Sequence, residues 1–413
     1  MLLLNTIKTA SYLYPTHISR YMKFSHIADC HLGSYREPAL RQLGLESFAY
    51  AIEESLKAQV DFIIIAGDLF NNALPSIETL KETVKILNKP KQQNIPVYIV
   101  AGSHDYSPAG KTMLHILEET QLAINVMQGE VSDNILTLKP IIDQKTGIHL
   151  YGLLGRADGL ESTHFEMLNK DPIEKDPAQK IFLFHTTITE FKPVALAQAK
   201  SIDLSLFPKN CLYYAGGHVH MRKIEDVENY GRIVYPGPTF PNNFGEIEKL
   251  HCGSFVINTL VDNKITSDHK LIKLTPHIHI TLDITNKSKE KIIEELATYT
   301  VKDSVVTLRI KGHTTKAELQ AMELSKSLEL LQEAKCILKN SSKLDIAELQ
   351  IAHSVSADDE EKVIGEHLGQ FKMPKEKELV DTMMRVLDTQ KEDGEKNHDF
   401  HNRIIEEFEE SQE

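Results

Sequence analysis

The chain has 413 residues, more than a single hydrophobic core comfortably organises, so two or three domains are expected. Apolar residues make up 41% and charged residues 25%, which excludes a disordered or fibrous protein. No run approaches the roughly 18 apolar residues of a bilayer span. The four cysteines, Cys30, Cys211, Cys252 and Cys336, are far apart; they argue against a disulfide framework or zinc knuckle and fit reduced thiols in the cytoplasm.

Residues 1–21 hold Lys8 and Arg20 but no acid, and their apolar run stops after Leu4. They are expected to be a disordered leader, or a stretch upstream of a true start at Met22, rather than a cleaved signal. Residues 22–258 are expected to form the main α/β domain. Phe24–Ile27, Phe62–Ala66, Val97–Val100, Ile181–Phe184 and Leu212–Ala215 are short apolar runs that predict buried strands. Glu46–Ala58 predicts a helix, and Ile77, Leu80, Val84 and Leu87 recur at helical spacing. Residues 259–345 predict a smaller α/β module. Its strands are expected at His277–Ile284, Val305–Ile310 and Lys335–Lys339, and its helices at Lys289–Thr298 and Lys316–Glu333.

Beyond it, 346–374 is an acidic linker and 375–413 a helical segment. From Asp358 to Glu413 there are 18 acids against 8 Lys/Arg, so this tail holds −10 of the net −13. Its apolar positions are Leu379, Met383, Phe400, Ile404 and Phe408. Two isolated helices this short are marginal in water, so they either dock on the body or bind a partner's helices.

Polar residues cluster just after the predicted strands, where open α/β sheets place ligands. Asp29 and His31 follow the first strand, Asp68 the second, and Ser103, His104 and Asp105 the third. His185 follows the fourth, and His218 and His220 follow the fifth. Imidazole and carboxylate without thiolate suit Mn, Fe or Zn. A carboxylate can bridge two ions, and paired ions can activate a water and stabilise both oxygens of an in-line displacement. Gly67, Gly102, Gly216 and Gly217 would let backbone pass close to such a site. Each motif alone is weak; a lone DxH is usually chance, and a lone strand-end histidine is usually a satisfied core residue. The ordered set of five is improbable by chance.

With MKFSHIADCHLG (22–33), VDFIIIAGDLF (60–70), GSHD (102–105), YYAGGHVH (213–220) and IVYPGPTF (233–240), the chain resembles the calcineurin-like metallophosphoesterases. More closely, it resembles the archaeal double-strand-break repair nucleases of the meiotic-recombination-eleven family, called SbcD in bacteria. The resemblance spans about residues 22–340. It implies a two-sheet metallophosphoesterase sandwich flanked by helices, a smaller α/β capping domain and a C-terminal helical tail. It also implies two Mn²⁺ per chain, with Fe or Zn as alternatives. Asp29, His31, Asp68 and His220 would hold one ion; Asp68, His185, His218 and Ser103 would hold the other. His104 would serve the scissile phosphate, and Asn71 and Asp105 would contact substrate.

The implied activity is exonuclease on duplex DNA ends and endonuclease on single strands. The implied partners are DNA ends, a second copy of the chain, with Leu114 and Leu117 in the dimer contact, and a coiled-coil ATPase of the Rad-fifty family. Leu379, Met383, Phe400, Ile404 and Phe408 would be the anchors for that ATPase. The family's usual Asn is Ser103 here, and its frequent His is Asn71. Both departures weaken the exonuclease expectation and leave two alternatives open: a phosphoesterase for small phosphodiesters or phosphoproteins, and a catalytically weak scaffold on DNA ends. No basic stripe interleaved with aromatics marks a DNA groove.

Overall fold

The computed structural model describes residues 21–107, 112–156, 162–192, 200–347 and 403. The leader and the tail residues Leu379, Met383, Phe400, Ile404 and Phe408 lie outside the described residues. Among those described, no helix is long and apolar enough to cross a membrane.

The chain opens with β1 (Met22–Ile27), α1 (Pro38–Lys57), β2 (Phe62–Ala66), α2 (Ile77–Gln92), β3 (Val97–Val100), α3 (Leu114–Glu119) and β4 (Ile124–Asn125). A small hairpin follows, β5 (Gly129–Ser132) and β6 (Ile135–Leu138). Next come β7 (Ile141–Ile142), β8 (His149–Leu153), α4 (Ser162–Met167), α5 (Asp171–Glu174), β9 (Lys180–His185), β10 (Tyr213–Gly217), β11 (Arg222–Val227) and β12 (Gly231–Pro236). Helix α6 (Phe244–Leu250) then leads to the long hairpin β13 (Gly253–Val261) and β14 (Lys264–Ile272). Two six-stranded sheets result, ordered β14–β13–β1–β2–β3–β4 and β11–β12–β10–β9–β8–β7.

The period-two alternation of each strand explains why both sheets are buried on both faces. On β2, Phe62, Ile64 and Ala66 face the core between the sheets, while Ile63 and Ile65 join the cluster beneath α1 and α2. On β9, Ile181 and Leu183 turn inward, and Phe182 and Phe184 turn to the opposite face. A one-residue slip in either strand would exchange its two sets. The parallel register of β1 on β2 and of β9 on β10 brings the C-terminal ends of each pair level with one another.

β15 (His277–Asp283), α7 (Lys289–Leu296), β16 (Val305–Thr314), α8 (Lys316–Ala321), α9 (Leu324–Ser327) and β17 (Cys336–Ile346) complete the described chain, with a sheet ordered β15–β16–β17. Two compact units emerge. Of the described residues, one unit holds those up to Ile280 with Thr300–Leu308 and Leu331–Asn340; the other holds Thr281–Tyr299, Arg309–Leu330 and those described from Ser341.

The structure departs from the sequence expectations in four places. The boundary expected between 258 and 259 falls inside β13, which pairs along its length with β14. Helix α1 begins at Pro38, not Glu46, because Leu40 and Leu43 pack with Phe240 and Ile247, distant in sequence. The helix expected over Lys316–Glu333 breaks at Glu323, whose φ is 41° and whose carboxylate pairs with Lys289 and Lys326. Leu114 and Leu117 are 7% and 0% exposed and belong to the core of their own chain, so they cannot form a dimer contact.

Inside the sandwich, the fully buried His26 ring pairs through Nδ1 with the Tyr213 hydroxyl at 2.9 Å, and Asn258 Nδ2 donates to that hydroxyl at 3.2 Å. Burial, reinforced by His269, pushes the imidazole from 6.5 down to about 3. The folded value lies below the unfolded one, so this contribution to stability is complete above about pH 6.5 and is lost as pH falls towards 3. Between pH 7.5 and 5, this residue should cost the fold about 2 kcal/mol. Urea unfolding in EDTA should show His26→Gln losing about that much less than wild type over the same interval; equal losses would refute the assignment.

Candidate metal centre

The ends of β1, β2, β3, β9 and β10 meet at one rim, and the backbone there is unusual. Asp29, His31, Asp68, His218 and His220 have φ of 52°, 43°, 49°, 95° and 46°. Non-glycine residues rarely adopt this left-handed region, at a cost of order 1–3 kcal/mol each, and they cluster at functional sites. Here the loops are tied so that the cost is met. The N–H groups of Asp29, His31 and Leu32 donate to the carbonyls of Gly67, Asp68 and Leu69 at 3.2, 2.9 and 3.0 Å. His218 N–H donates to Asp29 Oδ1 at 2.8 Å, and His104 N–H to Asp68 Oδ1 at 2.8 Å.

The side chains converge. Asp68 Oδ2 lies 3.1 Å from His185 Nε2 and 3.6 Å from His31 Nε2. Asp29 Oδ1 lies 3.9 Å from both His185 Nδ1 and His220 Nε2. The Nε2 atoms of His31 and His220 are 2.9 Å apart. Among the described residues, three groups bring one ligand atom from each member within 4.8 Å of the others: Asp29, His31 and His220; His31, Asp68 and His104; Asp29, Asp68 and His185. Asp68 belongs to two of these groups and is reached from both sides. His218 joins through its ring, 5.2 Å from that of His185. The Ser103 hydroxyl is turned towards Asp68 Oδ2 at 3.4 Å. Two of the glycines named above are required sterically: a Cβ at Gly67, whose φ is +82°, would lie 2.1 Å from His185 Nδ1, and one at Gly102 would lie 2.2 Å from Asp68 N.

The charges suit a cation. Burial alone would raise the Asp68 carboxyl, but His185, His31 and His104 outweigh it and hold it well below the usual range. Burial raises Asp29, although His220 and His185 oppose this. Burial also pushes His31 to about 3 and His218 to about 4, so both are neutral donors near neutral pH. His185 donates Nδ1–H to Ala66 O at 2.9 Å, which leaves its Nε2 lone pair facing the Asp68 carboxylate. That Nε2 is buried, with the Asp68 carboxylate 3.1 Å away but outside ordinary hydrogen-bond geometry. A lone pair against an anion is repulsive unless a cation or a proton intervenes. Although burial opposes it, Asp68 raises His185 to about 10, so in the free protein a proton fills that role.

Of the two expected substrate contacts, Asp105 proves to be framework. Asp105 is 0% exposed; its carboxylate accepts the N–H groups of Leu69, Phe70 and Gly102 at 3.1, 2.9 and 3.0 Å. It positions the loops that carry Asp68 and His104 and cannot reach a substrate. Asn71 acts through its backbone carbonyl, which accepts Nδ1–H of the exposed His104 at 2.8 Å. This fixes the tautomer and leaves His104 Nε2 available, its ring 4.7 Å from that of His31. One residue was missed altogether: Glu246 Oε1 lies 3.0 Å from His220 Nδ1. Its spacing from Asn243 marks only a helix N-terminus; nothing in the sequence joins it to His220.

The profile of the calcineurin-like phosphoesterases matches residues 22–222. Over those residues the chain is similar to that family. Three curated relatives bear the name "DNA double-strand break repair protein Mre11". That of Archaeoglobus fulgidus is 30% identical over 244 residues, covering 55% of this chain and 52% of its own length. That of Methanococcus maripaludis is 28% identical over 291 residues, covering 67% and 73%. That of Methanocaldococcus jannaschii is 29% identical over 280 residues, covering 64% and 70%. The chain thus spans about half the length of the first relative and somewhat over two thirds of the other two.

Two outcomes are expected of this rim. Asp105→Ala leaves three buried N–H donors unpaired and should cost at least about 3 kcal/mol in urea unfolding; a change under 1 kcal/mol would deny it the framework role. Because ligands must shed protons to bind metal, Mn²⁺ binding at pH 7.5 should release at least about one proton per protein. Calorimetry in buffers of different ionisation enthalpy measures this; zero release would rule out the His185 assignment.

Proposed function

We propose that this chain is a manganese-dependent nuclease that hydrolyses DNA phosphodiesters at broken ends. The observation that carries the hydrolytic reading is the convergence of two carboxylates and the imidazoles of five histidines at one rim, five of these residues in left-handed backbone. DNA as substrate is supported by the relatives named above.

On this proposal, Asp29, His31, Asp68 and His220 hold one ion, and Asp68, His185, His218 and Ser103 hold the second. Mn²⁺ is the favoured metal, with Fe or Zn as alternatives. The pair supplies Lewis acidity, an activated water and charge neutralisation at the phosphoryl group. The neutral His31 and His218 donate lone pairs without a proton having to leave first. His104 would do the proton work: with Nδ1–H held by the Asn71 carbonyl, its Nε2 is presented to the substrate, and the ring, once it has taken a second proton from water, can pass that Nε2 proton to the departing oxygen. Partner assignments extend the proposal. A second copy of the chain and a coiled-coil ATPase of the Rad-fifty family would complete the machine, the ATPase being bound through residues 375–413.

The test is cleavage of blunt duplex and circular single-stranded DNA in Mn²⁺, with metal content measured in parallel. His104→Ala should keep both ions and lose roughly 10²–10⁴-fold in rate. Asp68→Ala should lose metal and activity together. Equal background cleavage by all three proteins would end the nuclease proposal, and turnover of bis-p-nitrophenyl phosphate without DNA cleavage would redirect it to small phosphodiesters.

A further inference from the structure

We infer that Glu246 is a positioning residue for His220, setting that ligand's tautomer and ring orientation and so the affinity of one of the two metal positions. The inference rests on the metal assignment proposed above. Its basis is the contact between Glu246 Oε1 and His220 Nδ1 at 3.0 Å. A carboxylate there requires Nδ1 to carry the proton, which leaves the Nε2 lone pair turned towards Asp29 and His31. The other histidines with a partnered Nδ1 at the rim, His185 and His104, donate to backbone carbonyls. His185 Nδ1 also has a carboxylate near it, but Asp29 Oδ1 stands 3.9 Å away; the 3.0 Å contact of Glu246 with His220 is at hydrogen-bond distance and makes His220 the more basic donor.

The carboxylate is well placed to hold an orientation. Asn242 N–H donates to Glu246 Oε2 at 2.8 Å, and Asn243 Nδ2 donates to Oε1 at 2.5 Å. Helix α6, which carries it, is fixed at several points. Ile247 packs with Leu40, Leu43, Phe240 and Val305. Tyr35 donates its hydroxyl proton to the Pro241 carbonyl at 2.6 Å, and Arg222 donates to the Leu250 carbonyl at 3.3 Å. Capping does not depend on the Glu246 side chain, because Asn243 Oδ1 already accepts the Glu246 N–H at 3.0 Å. Two residues on, roughly opposite on the helix, Glu248 pairs instead with His279 at 3.0 Å. The helix therefore carries an internal control.

The experiment titrates Mn²⁺ into the full chain by calorimetry and Co²⁺ by visible absorption, for wild type, Glu246→Ala, Glu246→Gln and Glu248→Gln, with a thermal melt of each metal-free protein. Glu246→Ala should weaken one of two sites by about 10–100-fold and leave the other unchanged. Glu246→Gln keeps an acceptor oxygen but no charge, so a smaller loss at the same site and a shifted Co²⁺ band are expected. Glu248→Gln should bind like wild type. Unchanged affinity in Glu246→Ala, or an equal loss in Glu248→Gln, overturns the inference. Should Glu246→Ala fail to fold, Glu246→Gln decides it: wild-type binding at both sites refutes it. A wild-type chain that binds no pair of ions defeats the metal assignment instead, and the two failures are distinguishable.

Discussion

Everything at the rim depends on holding like-charged and lone-pair groups together on a backbone that resists it. Five left-handed residues at roughly 1–3 kcal/mol each amount to a strain comparable with the net stability of a domain. The fold offsets it by tying each loop to its neighbour: Asp29 N–H to Gly67, His31 N–H to Asp68, and the Asp105 carboxylate to three N–H groups at once. A chain with no use for this arrangement would place glycine or asparagine at such positions. Aspartate and histidine stand there because their side chains have a task that only this backbone can aim.

The sandwich makes the convergence possible. β1, β2 and β3 lie in one sheet, and β9 and β10 in the other. Gly217 lets the end of β10 come within van der Waals distance of the end of β2, since a Cβ there would sit 2.1 Å from the Ala66 carbonyl. Residues nearly two hundred positions apart thus share one volume, as His31 and His220 do. The dense apolar packing between the sheets, from Phe24 and Phe62 to Tyr213 and Val234, keeps that alignment from drifting.

How legible this was in the sequence follows the range of the interactions. β2 was visible in Phe62–Ala66 because continuous burial writes a continuous apolar run, and the strand-end residues were visible because each follows such a run. α1 was misplaced because its first two turns are stabilised by Phe240 and Ile247 rather than by their own periodicity, with Gly44 interrupting the pattern. The break at Glu323 has neither glycine nor proline to announce it. Asp105 looked like a substrate residue because a motif gives the order of side chains but not the direction in which they point. Glu246 was invisible for the same reason: a helix-capping pattern does not reveal what the carboxylate's second oxygen touches.

The two proposed metal positions are physically unequal. One gathers Asp29, Asp68 and two imidazoles, with a further carboxylate behind His220. The other shares Asp68, has a proton to displace from His185, and meets at Ser103 a hydroxyl that donates to Asp68 at 3.4 Å rather than offering an amide oxygen. A hydroxyl that spends its hydrogen on Asp68 can still offer oxygen lone pairs, but it has a shorter reach and is a poorer donor than an amide oxygen. On the proposed assignment, the first position would fill before the second. Where hydrolysis needs both ions, occupancy of the Ser103 side sets how much of the protein is competent at a given metal concentration.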